Sequence, residues 1–152
     1  MLPIAIGADD AAFELKKILV KHIQERGYEV TDYTRESDIA NTAYPDIAYE
    51  VAHAIKDGKH QRGILICGTG IGMSITANKV SGIRAAQCHD TFSAERARKS
   101  NNAQIVTLGS RVIGAELAKT IVDSWLASEF EGGRSVPKVE KIGWYENLEK
   151  QG

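Results

Sequence analysis

Residues 63–74 read GILICGTGIGMS, and this stretch decides the fold. Gly63 to Cys67 has almost no polar alternation, the pattern of a parallel strand covered on both faces. The glycines at 68, 70 and 72 then allow tight turning. They leave backbone N–H groups uncovered, pointing at whatever occupies the start of the helix that the spacing predicts from Ser74 to Lys79.

The same alternation of short apolar runs and amphipathic stretches continues in both directions. Residues 2–7, Tyr28 to Tyr33, Ile83 to Cys88 and Gln104 to Leu108 read as further strands. Between them, Phe13, Leu15, Ile18, Leu19 and Ile23 recur at helical spacing up to Gly27. Ile47, Ala48, Val51, Ala52 and Ile55 follow Pro45, which suits a first helical turn. A third helix is expected with Ser93 as its cap, and a fourth over about 114–129 with Leu117, Ile121, Trp125 and Leu126 on one face. Residues 34–44 read as a polar surface loop, and the tail from Phe130 as partly extended. His22, His53 and His60 read as exposed helix or loop residues.

Strands alternating with helices require parallel pairing through right-handed crossovers. The expectation is an α/β fold: a single-domain three-layer α/β/α sandwich, Rossmann-like, with a mostly parallel five-stranded sheet. A length of 152 residues fits one domain spanning 1–152. Lys plus Arg number 19 against 20 Asp plus Glu, which excludes the basic excess of a nucleic-acid or membrane-surface binder. No apolar run approaches a membrane span, and the N-terminus lacks a signal-peptide pattern. Cys67 and Cys88 are the only cysteines, without CxxC spacing, so neither zinc nor a disulfide framework is expected and a cytoplasmic setting is the default.

In open sheets of this kind ligands bind beyond the carboxyl ends of the strands, where the strand order switches. Chemistry is therefore sought at Asp9 and Asp10, at Cys67 to Gly72, at His89 and Asp90, and at Gly109 to Arg111. The glycine loop departs from a dinucleotide fingerprint because Met73 takes the last glycine's place, and no Walker lysine is present. What remains is a thiol at a strand end beside a fan of amides, a setting that favours thiolate. The bland alternative is that Cys67 is a small buried hydrophobe, which is how Cys88 is read. Arg111, Arg134 and Lys138 suit an anion, since arginine offers a planar fork of donors. A receiver-type signalling domain has the same layering, but Cys67 stands where its phosphate-accepting aspartate would be.

On these residues the chain resembles the type B ribose-5-phosphate isomerases, the family that includes the galactose-6-phosphate isomerase subunits. The marks are Ile6-Gly7-Ala8-Asp9, Tyr44-Pro45, the Cys67–Gly72 run, Ala77-Asn78-Lys79, Gly82-Ile83-Arg84-Ala85, Asn101, Leu108-Gly109-Ser110-Arg111 and Gly132-Gly133-Arg134, covering nearly the whole chain. The resemblance implies cofactor-independent and metal-independent aldose–ketose isomerisation of a sugar phosphate. It also implies a homodimer, or a tetramer, with active sites shared between subunits, the tail from about 130 packing on the partner. Carried over, Cys67 is the base that shuttles a proton through a cis-enediol, and the amides of Gly68, Gly70 and Gly72 face the enediolate oxygen. Thr69, Asp9, Tyr44 and Asn101 position hydroxyls, while Arg111, Arg134 and Lys138 hold the phosphate. A second branch of the family has glutamate in place of Met73 and no cysteine, so this chain sides with the cysteine branch.

Two departures narrow the substrate. Many members read Asp-His where this chain has Asp9-Asp10, and a carboxylate at Asp10 must turn away from phosphate or bind a hydroxyl. Many read His-Asn where this chain has Ser100-Asn101, and that histidine is assigned to ring opening. Serine has no group titrating near neutrality. An aldotetrose phosphorylated on its fourth oxygen cannot close a furanose and needs no such acid. The runs 88–96 and 100–104 also look like tetrose-phosphate members that interconvert D-erythrulose 4-phosphate and D-erythrose 4-phosphate, associated with erythritol catabolism. The alternatives are a ribose 5-phosphate isomerase with His89 or water opening the ring, and a non-catalytic sugar-phosphate-binding subunit of a hetero-oligomer.

Overall fold

The computed structural model describes residues 1–151. Five strands form one parallel sheet: β1 (Ile4–Ala8), β2 (Val30–Asp32), β3 (Gly63–Cys67), β4 (Ala85–Gln87) and β5 (Ile105–Gly109), in the order β2-β1-β3-β5-β4. The helices are α1 (Phe13–Glu25), α2 (Tyr44–Lys56), α3 (Ile71–Ala77), α4 (Thr91–Lys99), α5 (Ala115–Leu126) and α6 (Val136–Gln151).

β1, β3 and β5 are buried along their whole lengths, and their side chains alternate between two cores. Ile4, Ile6, Ile64, Ile66, Val106 and Leu108 meet buried residues of α1, α4 and α5, among them Leu19, Ile23, Ile121 and Trp125. Ala5, Leu65, Cys67 and Ile105 face α2 and α3, meeting Ile47, Val51 and Met73. Each fully buried Leu, Ile or Val contributes about 1.5–3 kcal/mol, so the central strands hold both layers. Gly7 lets α2 come close, because a Cβ there would collide with Ile47. This is the expected three-layer sandwich. The order switches at β1 and β3, so the carboxyl ends of those strands open the crevice where the segments after them meet.

Several local expectations are corrected by tertiary contacts. The cap of α4 is Asp90, whose Oδ1 accepts the Ser93 N–H at 2.6 Å and whose Oδ2 accepts the Ser93 hydroxyl at 2.7 Å. Ser93 is thus the capped residue, three positions inside. The loop 34–44 holds short 3-10 turns over Glu36–Asn41. The buried Lys16 pairs with Asp32 at 2.7 Å and Glu36 at 3.1 Å, fastening that loop's start to α1. Ile18 and Leu117 are exposed, and the core faces of α1 and α5 run instead through Leu15, Leu19 and Ile23 and through Ala118, Ile121, Val122 and Trp125.

His22 and His60 are buried rather than exposed. His60 Nδ1 lies 2.8 Å from the Pro3 carbonyl and Nε2 2.7 Å from the Tyr33 hydroxyl, while His22 Nε2 is 2.7 Å from Asp123 Oδ1. The tail is not extended: a 3-10 turn at Gly133–Ser135 leads into α6, sixteen residues with none buried. Glu146 accepts the Gly82 N–H, and Lys150 bonds Ser81, while Ile142, Trp144, Tyr145 and Leu148 remain exposed.

Candidate active site

The carboxyl edge of β3 is built by backbone lying on backbone. Gly70 has φ +80°, and a Cβ there would stand 2.9 Å from the Leu108 carbonyl carbon. At Gly109 a Cβ would stand 2.7 Å from the Thr69 carbonyl carbon. No other residue type fits these two places without moving main chain. The loop is then tied by side chains: Thr107 Oγ1 donates to the Gly70 carbonyl at 2.8 Å, and Gln87 Nε2 donates to the Thr69 carbonyl at 2.7 Å. Neither Gln87 nor Thr107 was singled out in the sequence. Gln87 could have been, since it stands at the carboxyl end of β4 on the ligand edge.

Cys67 ends β3 with 5 % exposure. Its Sγ accepts the Gly70 N–H at 3.2 Å, so that amide serves the sulfur. Thr69 is exposed, and its Oγ1 accepts the Ile71 N–H at 3.2 Å. The N–H groups of Gly68, Thr69 and Gly72 have no acceptor among the described residues. They are the free donors of the loop. The Tyr44 ring covers Gly72, where a Cβ would collide with it, and the Arg111 side chain lies along Gly68, 3.6 Å from the place of a Cβ.

Asp9 follows β1 into the same crevice. Burial and the neighbouring Asp10 hold its carboxyl above the usual range, with backbone N–H groups and Arg111 pulling the other way. Its Oδ1 is buried without a hydrogen-bond partner, an orphaned acceptor that a substrate hydroxyl would satisfy. Asp10 is exposed, and its Oδ1 takes the Ala11 N–H at 2.9 Å. His89 Nε2 accepts the Gly109 N–H at 2.9 Å, so this nitrogen acts as a fixed acceptor. Burial pushes the Cys88 thiol up to about 11, in keeping with a packing role.

The other predicted site residues lie elsewhere. Ser100, Asn101, Arg134 and Lys138 line a cleft of about 460 Å³ between the end of α4 and the start of α6. None of Asp9, Tyr44, Cys67 to Gly72, His89 or Arg111 lines it. Arg96 does, a residue the sequence marks only as the last of the run 88–96. One chain therefore presents two separate groups of candidate site residues.

The comparisons agree with this architecture. The family model for ribose/galactose isomerase matches residues 4–142. The chain therefore belongs to the ribose/galactose isomerase family. D-erythrulose-4-phosphate isomerase of Pectobacterium atrosepticum is 67% identical over 150 residues, 99% of each chain. Ribose-5-P isomerase B of Listeria innocua is 53% identical, covering 91% of this chain and 93% of its own. Ribose-5-phosphate isomerase B of Clostridium thermocellum superposes with a TM-score of 0.91 at 47% identity, over 97% of this chain and 99% of the other. Among the described residues no helix is long and apolar enough to cross a membrane.

Proposed function

We propose that this sugar-phosphate isomerase interconverts D-erythrulose 4-phosphate and D-erythrose 4-phosphate, with Cys67 as the base. The thiolate removes a proton from the carbon bearing the hydroxyl, giving a cis-enediolate, and returns it to the neighbouring carbon, while the oxygen proton passes between the two oxygens. The observation that carries the reading is the Cys67 sulfur, held by the Gly70 N–H beside the free amides of Gly68 and Gly72 and the orphaned Asp9 Oδ1. Donors fixed at the position of developing charge are worth about 3 kcal/mol each in the transition state. Asp9, Thr69 and Tyr44 hold substrate hydroxyls, and Arg111 approaches the phosphate.

The complete site takes one edge from each of two copies. Ser100, Asn101, Arg134 and Lys138 come to the Cys67 edge from a second chain, and the exposed apolar residues of α6 pack on that chain. A helix of sixteen residues with none buried in its own chain is not held by packing within that chain, and a second copy supplies what is missing. The tetrose assignment is supported by the Pectobacterium relative and by Ser100, whose oxygen is already occupied by Arg96 and offers no acid for opening a ring.

Steady-state turnover of the purified chain on D-erythrulose 4-phosphate and on ribose 5-phosphate tests this. Higher kcat/KM on the tetrose is expected. A strong preference for the pentose overturns the substrate. Absence of turnover on both by the chain alone favours a subunit that needs an unlike partner.

A further inference from the structure

Arg96 stands one helical turn before Ser100 on α4, so both side chains share a face. Its Nε and Nη2 donate to Ser100 Oγ at 2.9 and 2.6 Å. The carboxylates of Glu95 and Glu131 stand 3.7 and 3.6 Å from Nη1, beyond hydrogen-bond reach. A guanidinium carries five N–H donors. Three of those on Arg96 thus have no hydrogen-bond acceptor among the described residues.

The character of this anchorage matters. An exposed arginine held by carboxylates is an ordinary solvated ion pair, worth little and already neutralised. Here the hydrogen bonds that fix the guanidinium come from a neutral hydroxyl, while the two carboxylates near Nη1 offset part of its charge. Ser100 Oγ, accepting two N–H bonds, still has its own proton to donate. Arg96 lines the same cleft as Arg134 and Lys138, against the single carboxylate of Glu131. With Glu95 also beside Arg96, three cations stand against two carboxylates, which leaves a net positive charge for an anion such as a phosphate monoester.

We propose that Arg96 is a further ligand of the substrate phosphate, beside Arg134 and Lys138 in the cleft and Arg111 from the Cys67 edge, and that Ser100 is a positioning residue that aims the Arg96 guanidinium into the cleft. This rests on the reading that the cleft receives the phosphate of the sugar. It gives Ser100 a task of its own: the position left without a ring-opening group holds an arginine instead.

Inorganic phosphate as a competitive inhibitor, measured beside KM and kcat for D-erythrulose 4-phosphate, tests the proposal on wild type and on Arg96→Leu, Arg96→Lys, Ser100→Ala and Ser100→Thr. Losing a charge-assisted bond should raise KM and the phosphate Ki of Arg96→Leu by about ten- to a hundredfold, the loss falling mainly on KM. Arg96→Lys should regain part of it. Ser100→Ala should weaken phosphate by about threefold to tenfold, and Ser100→Thr, which keeps the hydroxyl, should recover the wild-type value. A phosphate Ki for Arg96→Leu within twofold of wild type overturns the proposal. Should that variant fail to fold, unchanged Ki values in both Arg96→Lys and Ser100→Ala overturn it equally. If the wild type prefers ribose 5-phosphate while Arg96→Leu still loses phosphate affinity, the tetrose reading fails and the assignment of Arg96 stands.

Discussion

At the Cys67 edge the walls are main chain: Gly70 lies against Leu108 and Gly109 against Thr69, both closer than any side chain allows. Around Arg134 and Lys138 the walls are long side chains, exposed to solvent and gathered where α4 ends and α6 begins. The first half-site is rigid because the core beneath it, β3 and β5, is buried throughout. The second can adjust. On the proposed function, chemistry that needs a fixed sulfur and fixed amides belongs on the first, and capture of a charged group belongs on the second. Contacts to a remote phosphate then hold the small substrate in register while the base works.

The largest effect should come from removing the sulfur. Cys67→Ala is expected to lower kcat by at least about 10²–10⁴-fold, the contribution of a placed base. Circular dichroism should show the fold retained, since among the described residues the sulfur's one hydrogen bond is from the Gly70 N–H. Retention of full activity would remove Cys67 from the mechanism.

The division between half-sites can be broken by mixing. Cys67→Ala and the double variant Arg134→Ala/Lys138→Ala should each be nearly inactive alone. Co-refolded in equal amounts, they should regain about a quarter of wild-type activity, because half of the dimers are mixed and one of two sites in each is intact. No recovery would place the whole site within one chain.

Gly70→Ala probes the rigid half. A left-handed alanine pressed on the Leu108 backbone should cost about 1–3 kcal/mol of stability, read as a lowered Tm, and at least tenfold in kcat as the loop shifts. The smallest effect concerns pH. Asp9 accepts a hydroxyl most strongly as carboxylate, and its raised pKa places the acid limb of kcat/KM above that of an ordinary aspartate. Asp10 contributes to that rise, so Asp10→Asn should lower the Asp9 pKa and move the acid limb to lower pH. Movement to higher pH would contradict the electrostatic origin of the shift.

Most of the first half-site was legible in the chain. Its glycines, cysteine and strand ends are read directly because each is demanded by local backbone geometry or by continuous burial. Arg96, Gln87 and Thr107 were not, since nothing local separates them from ordinary helix and strand residues. Their meaning comes from which loop or hydroxyl the fold sets within reach. The same holds for His60, read as exposed and found between Tyr33 and Pro3, and for the tail, whose glycine turn hid a long helix.

Sequence alone determined the parallel sandwich and the thiol at the end of its central strand, because uninterrupted apolar runs and obligatory glycines admit one local solution. Only the tertiary structure decided that Arg96, Arg134 and Lys138 gather in a cleft apart from the sulfur while Arg111 stays beside it. Distances between helix ends depend on how the layers pack and not on any short stretch of chain.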